Sequence, residues 1–126
     1  MQNTIVKEYK KVKDPVYGYI PIEIEYIRTI IDTPIFQRLR RVLQTSYSPL
    51  YSSSLHNRFV HLLGVFHLGC IVANCIGESI LNEDYLSADT AKEKIIKKLS
   101  HVFRLACLLH DVGHAPFSHT IGRRID

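Results

Sequence analysis

The chain has 126 residues, 46% apolar and 22% charged, with a net charge of +4 from 16 basic and 12 acidic side chains. A chain of this length makes one domain at most and can bury about 65–70% of its unfolded surface, enough for a core. The composition argues against disorder, collagen and coiled coil. The charge suits an anionic partner but is too mild to name nucleic acid.

The N-terminus, Met1 to Lys13, is polar and charged and does not read as a signal peptide. Asp14-Pro15-Val16-Tyr17-Gly18 supplies a turn. Ile20, Ile22 and Ile24 then alternate with Pro21, Glu23 and Glu25, a strand pattern in which Pro21 marks an edge strand. A helix is expected over Tyr26–Ile31. Asp32 or Thr33 caps the next helix, with Pro34 at its first position. Ile35, Phe36, Leu39, Val42 and Leu43 form its apolar stripe, and Arg38, Arg40 and Arg41 lie mostly off it, as a solvated face would. Ser46 to Leu55 reads as a loop between mutually dependent helices.

A long helix is expected from about Asn57 to Leu81, apolar nearly all round and therefore central. Phe59 to Ile76 has no formal charge and approaches the length of a membrane span. His61, His67, Asn74, Gly64 and Gly69 within it favour a core helix instead. Cys70, Cys75 and Cys107 are odd in number and sit in apolar context, so they read as buried, reduced thiols of a cytoplasmic protein. A last helix opens with the capping box Thr90-Ala91-Lys92-Glu93 and runs to about Asp111, where Gly113 ends it. Its expected apolar face is Ile95, Leu99, Val102, Phe103 and Ala106. The fold class is mainly α, with a short β hairpin in front.

Seven histidines are many for this length, and three fall in His110-Asp111-Val112-Gly113-His114-Ala115-Pro116-Phe117-Ser118-His119. His110 continues the stripe of Leu99, Phe103 and Ala106 and so is expected to point inward. A buried imidazole beside a buried carboxylate needs compensation, and a metal cation provides it. Alone, the pair reads more simply as a helix C-terminus, with the histidine facing the dipole and Asp111 capping the next turn. A second segment shifts that balance. In His56-Asn57-Arg58-Phe59-Val60-His61, Arg58 and His61 are three apart and share a helical face. They bring a third ligand and a cation, at a helix N-terminus suited to phosphate.

With these segments in view, the sequence resembles the HD-domain metal-dependent phosphohydrolases, and within them the deoxynucleoside triphosphate triphosphohydrolase branch. The resemblance rests on Asp14 to Gly18, Ile31 to Arg40, His56 to Val65 and His110 to His119, in the family's order. It implies a helical bundle preceded by a hairpin segment at 1–25, with 26–126 the N-terminal portion of the HD domain. It implies His61, His110 and Asp111 as ligands of a divalent metal, for which such donors admit manganese, iron, zinc, nickel or magnesium. It further implies Arg58 on substrate phosphate, His114 and Asp111 in catalysis, His119 in the substrate pocket and Gln44 near the deoxyribose. Asp32, Gln37 and Arg40 resemble positions that hold a regulatory guanine nucleotide in some members; surface charge explains them equally well. The implied substrate is a deoxynucleoside triphosphate, and the products are a deoxynucleoside and triphosphate.

Two departures stand out. Val60 replaces an acidic residue common in the family's first ligand segment. The family also closes its site with an aspartate on a later helix, and only Thr120 to Asp126 follow His119 here. Asp126 is too near His119 in sequence to be a good replacement for that aspartate. The expectation is a truncated or partial bundle, marginally stable or homo-oligomeric, with no membrane partner. Two alternatives stay open: an inactive module that binds nucleotide or an intact homologue, and an HD phosphohydrolase for another nucleotide. Nucleic-acid binding through Arg38, Arg40, Arg41, Arg123 and Arg124 is a weaker reading.

Overall fold

A computed structural model describes residues 8–45, 50–82 and 90–114. Strands β1 (Tyr9–Asp14) and β2 (Gly18–Glu23) pair antiparallel, from Tyr9 opposite Glu23 to Asp14 opposite Gly18. Asp14 is buried, and its Oδ1 accepts the amides of Val16 at 2.8 Å and Tyr17 at 2.9 Å. Gly18 follows at φ 76°, the left-handed residue that a three-residue hairpin loop requires. Ile20 and Ile22 on the inner face are fully buried.

Ile24 departs from the expected strand. Its amide makes the last ladder bond, to Glu8 O at 2.9 Å, and the backbone then turns helical. Helix α1 (Ile24–Tyr26) continues as a π-helical turn over Ile27–Ile31, so helix starts two residues before the expected Tyr26. The Asp32 amide donates five residues back to Ile27 O at 2.8 Å. The Thr29 hydroxyl donates to Glu25 O at 2.7 Å, competing for the carbonyl an α-helical amide would use.

Helix α2 (Pro34–Gln37) tightens into a 3-10 turn over Arg38–Arg41. Thr33, not Asp32, caps it: its hydroxyl accepts the Phe36 amide at 3.4 Å and donates to Ile30 O at 2.6 Å. Phe36, Leu39 and Val42 are buried at three-residue spacing, as a 3-10 turn dictates. Ile35 and Leu43, expected on the same stripe, are 64% and 39% exposed, because the chain does not keep the 3.6-residue period.

Helix α3 (Arg58–Asn82) and helix α4 (Thr90–Leu109) complete the described elements. The described residues divide into two compact units, those up to His61 together with His114, and those from Leu62 to Gly113, and the division falls inside α3 after its first turn. The first unit buries Ile20, Ile22, Ile27, Ile31, Phe36, Leu39 and Phe59; Phe36 and Phe59 meet edge to face at 5.6 Å.

In the second unit α3 and α4 approach closely at Gly69, where an added Cβ would meet Cys107 Sγ at 2.6 Å. Arg104 donates to the Asn74 side chain. Leu62, Leu63, Phe66, Ala73 and Leu108 are buried. Helix α3 is long and apolar enough to cross a membrane by length and composition, and 39% of its most apolar stretch is buried. The expected all-round burial therefore does not hold: Leu68, Ile71, Val72 and Ile76 are exposed.

Several further expectations are corrected in this unit. On α4 the expected face Ile95, Leu99, Val102, Phe103 and Ala106 is exposed. The residues turned toward cover are Ile96, Ser100, Cys107 and Leu108, because the buried seam runs one residue along from the predicted stripe. Cys75 is exposed and Cys70 and Cys107 are half-buried, all three free thiols, so the expectation of buried cysteines fails at Cys75. Glu93 pairs with Lys97 one turn on, which holds its carboxyl below the usual range. Helix α4 ends at Leu109, before the expected Asp111, and Gly113 has no left-handed φ.

Candidate metal centre

The segment Val42 to Gln44 and the segment His56 to Arg58 are stitched together and fix the start of α3. Leu43 and Asn57 form an isolated antiparallel bridge, Arg58 N donates to Val42 O at 2.8 Å, and Gln44 N donates to His56 O at 3.0 Å. Asn57 caps the helix by accepting the Val60 amide on its Oδ1 at 3.0 Å. An asparagine three residues before Val60 is a local signal for this cap, and it complements the apolar run that marks the helix itself.

Arg58, the first residue of α3, is only 2% exposed. A guanidinium that deep is stable only against counter-charge or carbonyl oxygens. His61, one turn on, is half-buried, and its amide donates to Asn57 O at 3.2 Å.

His110 and Asp111 come directly after the last residue of α4. His110 N still donates to Ala106 O at 2.9 Å, and Val112 N donates to Leu109 O at 3.1 Å, so the chain leaves the helix in a turn. His110 is exposed, where burial was expected, and the helix stops one residue before it. Its Nδ1 lies 3.0 Å from Cys107 O. A carbonyl only accepts, so in the neutral ring Nδ1 carries the hydrogen and Nε2 carries the lone pair. Asp111 is half-buried.

His61 on α3, and His110 and Asp111 after α4, each offer one ligand atom of a kind able to hold a cation. Two imidazoles and a carboxylate are the donor set that borderline divalent ions accept, so the residues present fit such a metal.

The other predicted residues are spread over the first unit. His114 is half-buried, and its backbone carbonyl accepts both terminal nitrogens of Arg38, at 3.4 and 3.3 Å. Arg38, expected on a solvated face, is half-buried and holds the chain just after the His-Asp pair. Gln44 is half-buried, with Oε1 enclosed and without a hydrogen-bond partner among the described residues. Gln37 donates to Ile31 O at 2.7 Å and accepts Arg40 Nε at 2.8 Å, so these two act together. Asp32 is exposed and does not line the depression formed by Pro34, Gln37, Arg38, Arg40 and Arg41. His119 and Asp126 lie outside the described residues.

The profile of the HD domain matches residues 58–125, and the chain belongs to the HD domain family. It is similar to the deoxynucleoside triphosphate triphosphohydrolase SAMHD1 of Homo sapiens, 36% identical over 121 residues, covering 94% of this chain and 17% of the relative. It is similar to an uncharacterized protein, YwfO, of Bacillus subtilis, 35% identical over 120 residues, covering 94% of this chain and 25% of the relative. A solved hypothetical protein from Aquifex aeolicus superposes with a TM-score of 0.65 at 34% identity, covering 90% of this chain and 26% of that one. The chain thus spans a quarter or less of the length of these curated relatives.

Proposed function

We propose that the chain carries the metal-binding part of a phosphohydrolase acting on deoxynucleoside triphosphates, with His61, His110 and Asp111 as protein ligands of a divalent cation. The observation that carries the reading is the donor set itself, two imidazoles and a carboxylate, all within the stretch that matches the HD domain. Membership of the HD family and the triphosphohydrolase name of its relatives support it.

When bound, the cation supplies charge neutralisation and Lewis-acid polarisation at a phosphoryl oxygen. The chain's own residues do the rest. Arg58 sits at the first position of α3, where its fixed charge adds to the positive helix end. A triphosphate held there loses part of its repulsion as charge builds on the departing group. The His114 ring passes a proton to the leaving oxygen, and the Arg38 grip on its carbonyl limits where that ring can reach. Gln44 offers an enclosed amide oxygen with no partner among the described residues, suited to accept one sugar hydroxyl.

The test is incubation of the purified chain with mixed deoxynucleoside triphosphates and manganese. Release of triphosphate, lost in Asp111→Ala, is the expected outcome. Release of single phosphates, or equal turnover by Asp111→Ala, would refute the assignment.

A further inference from the structure

The 3-10 turn Arg38–Arg41 sends two guanidinium groups to different stretches of the first unit. With three residues per turn, Arg38 and Arg40 leave the backbone on different sides. Arg40 lies over the ring of Phe59, its guanidinium carbon 3.6 Å from the ring centroid. Phe36, from the same segment, meets that ring edge to face at 5.6 Å, and Phe59 is buried. Arg40 is itself braced. Its Nε donates to Gln37 Oε1 at 2.8 Å, and Gln37 Nε2 donates to Ile31 O at 2.7 Å, in the π turn. Arg38 instead donates from both terminal nitrogens to His114 O, at 3.4 and 3.3 Å.

Each grip falls where the backbone needs one. Arg58 and Phe59 open α3, and the amides of a first helical turn have no intrahelical acceptor, so that turn frays most readily. Fixing Phe59 fixes the rotation of the turn, and with it the direction in which Arg58 leaves the backbone. His114 lies in neither helix nor strand, so no ladder holds it. Two charged donors on one carbonyl, which has two lone pairs, pin the backbone that carries the imidazole. Both guanidinium groups border the depression with Pro34, Gln37 and Arg41, yet each is engaged by its own chain.

We infer that Arg38 and Arg40 are positioning residues: Arg40 acts through Phe59 on Arg58, and Arg38 acts on His114. The inference rests on the roles proposed above for Arg58 and His114. It adds that one short turn supports both the group that holds phosphate and the group that passes the proton. Placement matters at this scale, since a shift of about 1 Å in a reacting group can cost on the order of a hundredfold in rate.

The test compares Arg38→Met and Arg40→Met in the full chain by NMR and by steady-state kinetics with deoxynucleoside triphosphates and manganese. Arg38→Met should move the His114 Cε1–H signal to its position in an unfolded peptide and leave the Arg58 Nε–H signal in place. Arg40→Met should do the reverse. In turnover, Arg38→Met should lower kcat about tenfold at an unchanged KM, and Arg40→Met should raise KM about tenfold with kcat nearly unchanged. Arg38→Lys, which keeps a donor, should recover part of the loss, and thermal melts check that each variant stays folded. Signals that stay put in both variants, or that both move in either one, would overturn the inference. A wild-type chain without turnover, in which the two NMR responses still separate, would refute the assigned reaction and leave the positioning standing.

Discussion

Gly69 and Cys107 occupy adjoining helices so closely that a β-carbon on Gly69 would stand 2.6 Å from the Cys107 sulfur and 3.0 Å from its Cβ. Neither distance is tolerable, so the sulfur or the helix has to move. Gly69→Ala removes the intrinsic penalty of a mid-helix glycine, about 1 kcal/mol. Overpacking costs about 1–3 kcal/mol and outweighs it. The expected result is a lower urea midpoint for Gly69→Ala. In a Cys107→Ala background the loss should shrink, with a coupling of the order of 1 kcal/mol in the double-mutant cycle. Strict additivity would mean the two residues do not oppose each other.

Thr33 joins the π turn to α2 by one hydroxyl that both accepts from Phe36 and donates to Ile30. Thr33→Ala should cost about 1 kcal/mol, and Asp32→Ala, at an exposed position, less than about 0.5 kcal/mol. Equal losses from the two substitutions would place the cap at the wrong residue. Denaturant unfolding of both variants decides it.

The hairpin loop depends on a buried carboxylate with two amide donors, from Val16 and Tyr17. Asp14→Ala leaves those amides short of a partner and should cost about 2 kcal/mol, while Asp14→Asn keeps an acceptor and should recover at least half. Thermal melts followed at the tyrosine band report on it directly.

Ligand linkage gives a readout of the metal centre that needs no turnover. A cation that binds only the folded chain raises its stability by about 2.7 kcal/mol at a hundredfold excess over Kd. Manganese should therefore raise the Tm of the wild type, and EDTA should reverse the rise. His61→Ala and Asp111→Ala should each abolish most of the shift. An identical shift in Asp111→Ala would remove Asp111 from the ligand set.

The lowered carboxyl of Glu93, held by Lys97, makes a small pH-dependent contribution to α4. Its folded value lies below its unfolded one, so the contribution is full above the usual glutamate range. It fades as pH falls through the folded value. Helicity by circular dichroism should thus differ between wild type and Lys97→Met at neutral pH and converge in acid. Added salt should also erase the difference, since the pair is exposed.

Much of this architecture is legible in local chemistry. Asp14 with Gly18, and Thr33 before Pro34, each require one backbone geometry, and the chain adopts it. The His-Asn-Arg-Phe-Val-His and His-Asp segments supply three donors of the kind a divalent cation takes. Periodicity, by contrast, is a poor guide to burial here. Ile35, Leu43 and the stripe from Ile95 to Ala106 follow helical spacing, yet spacing says only that residues share a face, not that anything covers it. The exposure of His110 has the same origin. The buried guanidinium of Arg58 and the Arg38 grip on the His114 carbonyl depend on contacts between distant segments, and no local pattern announces them.

The π turn at Ile27–Ile31 also acts as a counter of residues. It accommodates one more residue than an α turn of the same rise, so chain length there can change by one without breaking the hydrogen-bonded path. Removing Thr29 would let the segment relax to ordinary helix. The downstream backbone would stay nearly in phase, so Thr33 and Pro34 would keep their aim. The wide turn thus acts as slack in the chain: it takes up a surplus residue locally and spares the arginine-bearing segment the rotation that the same insertion would cause in a regular helix.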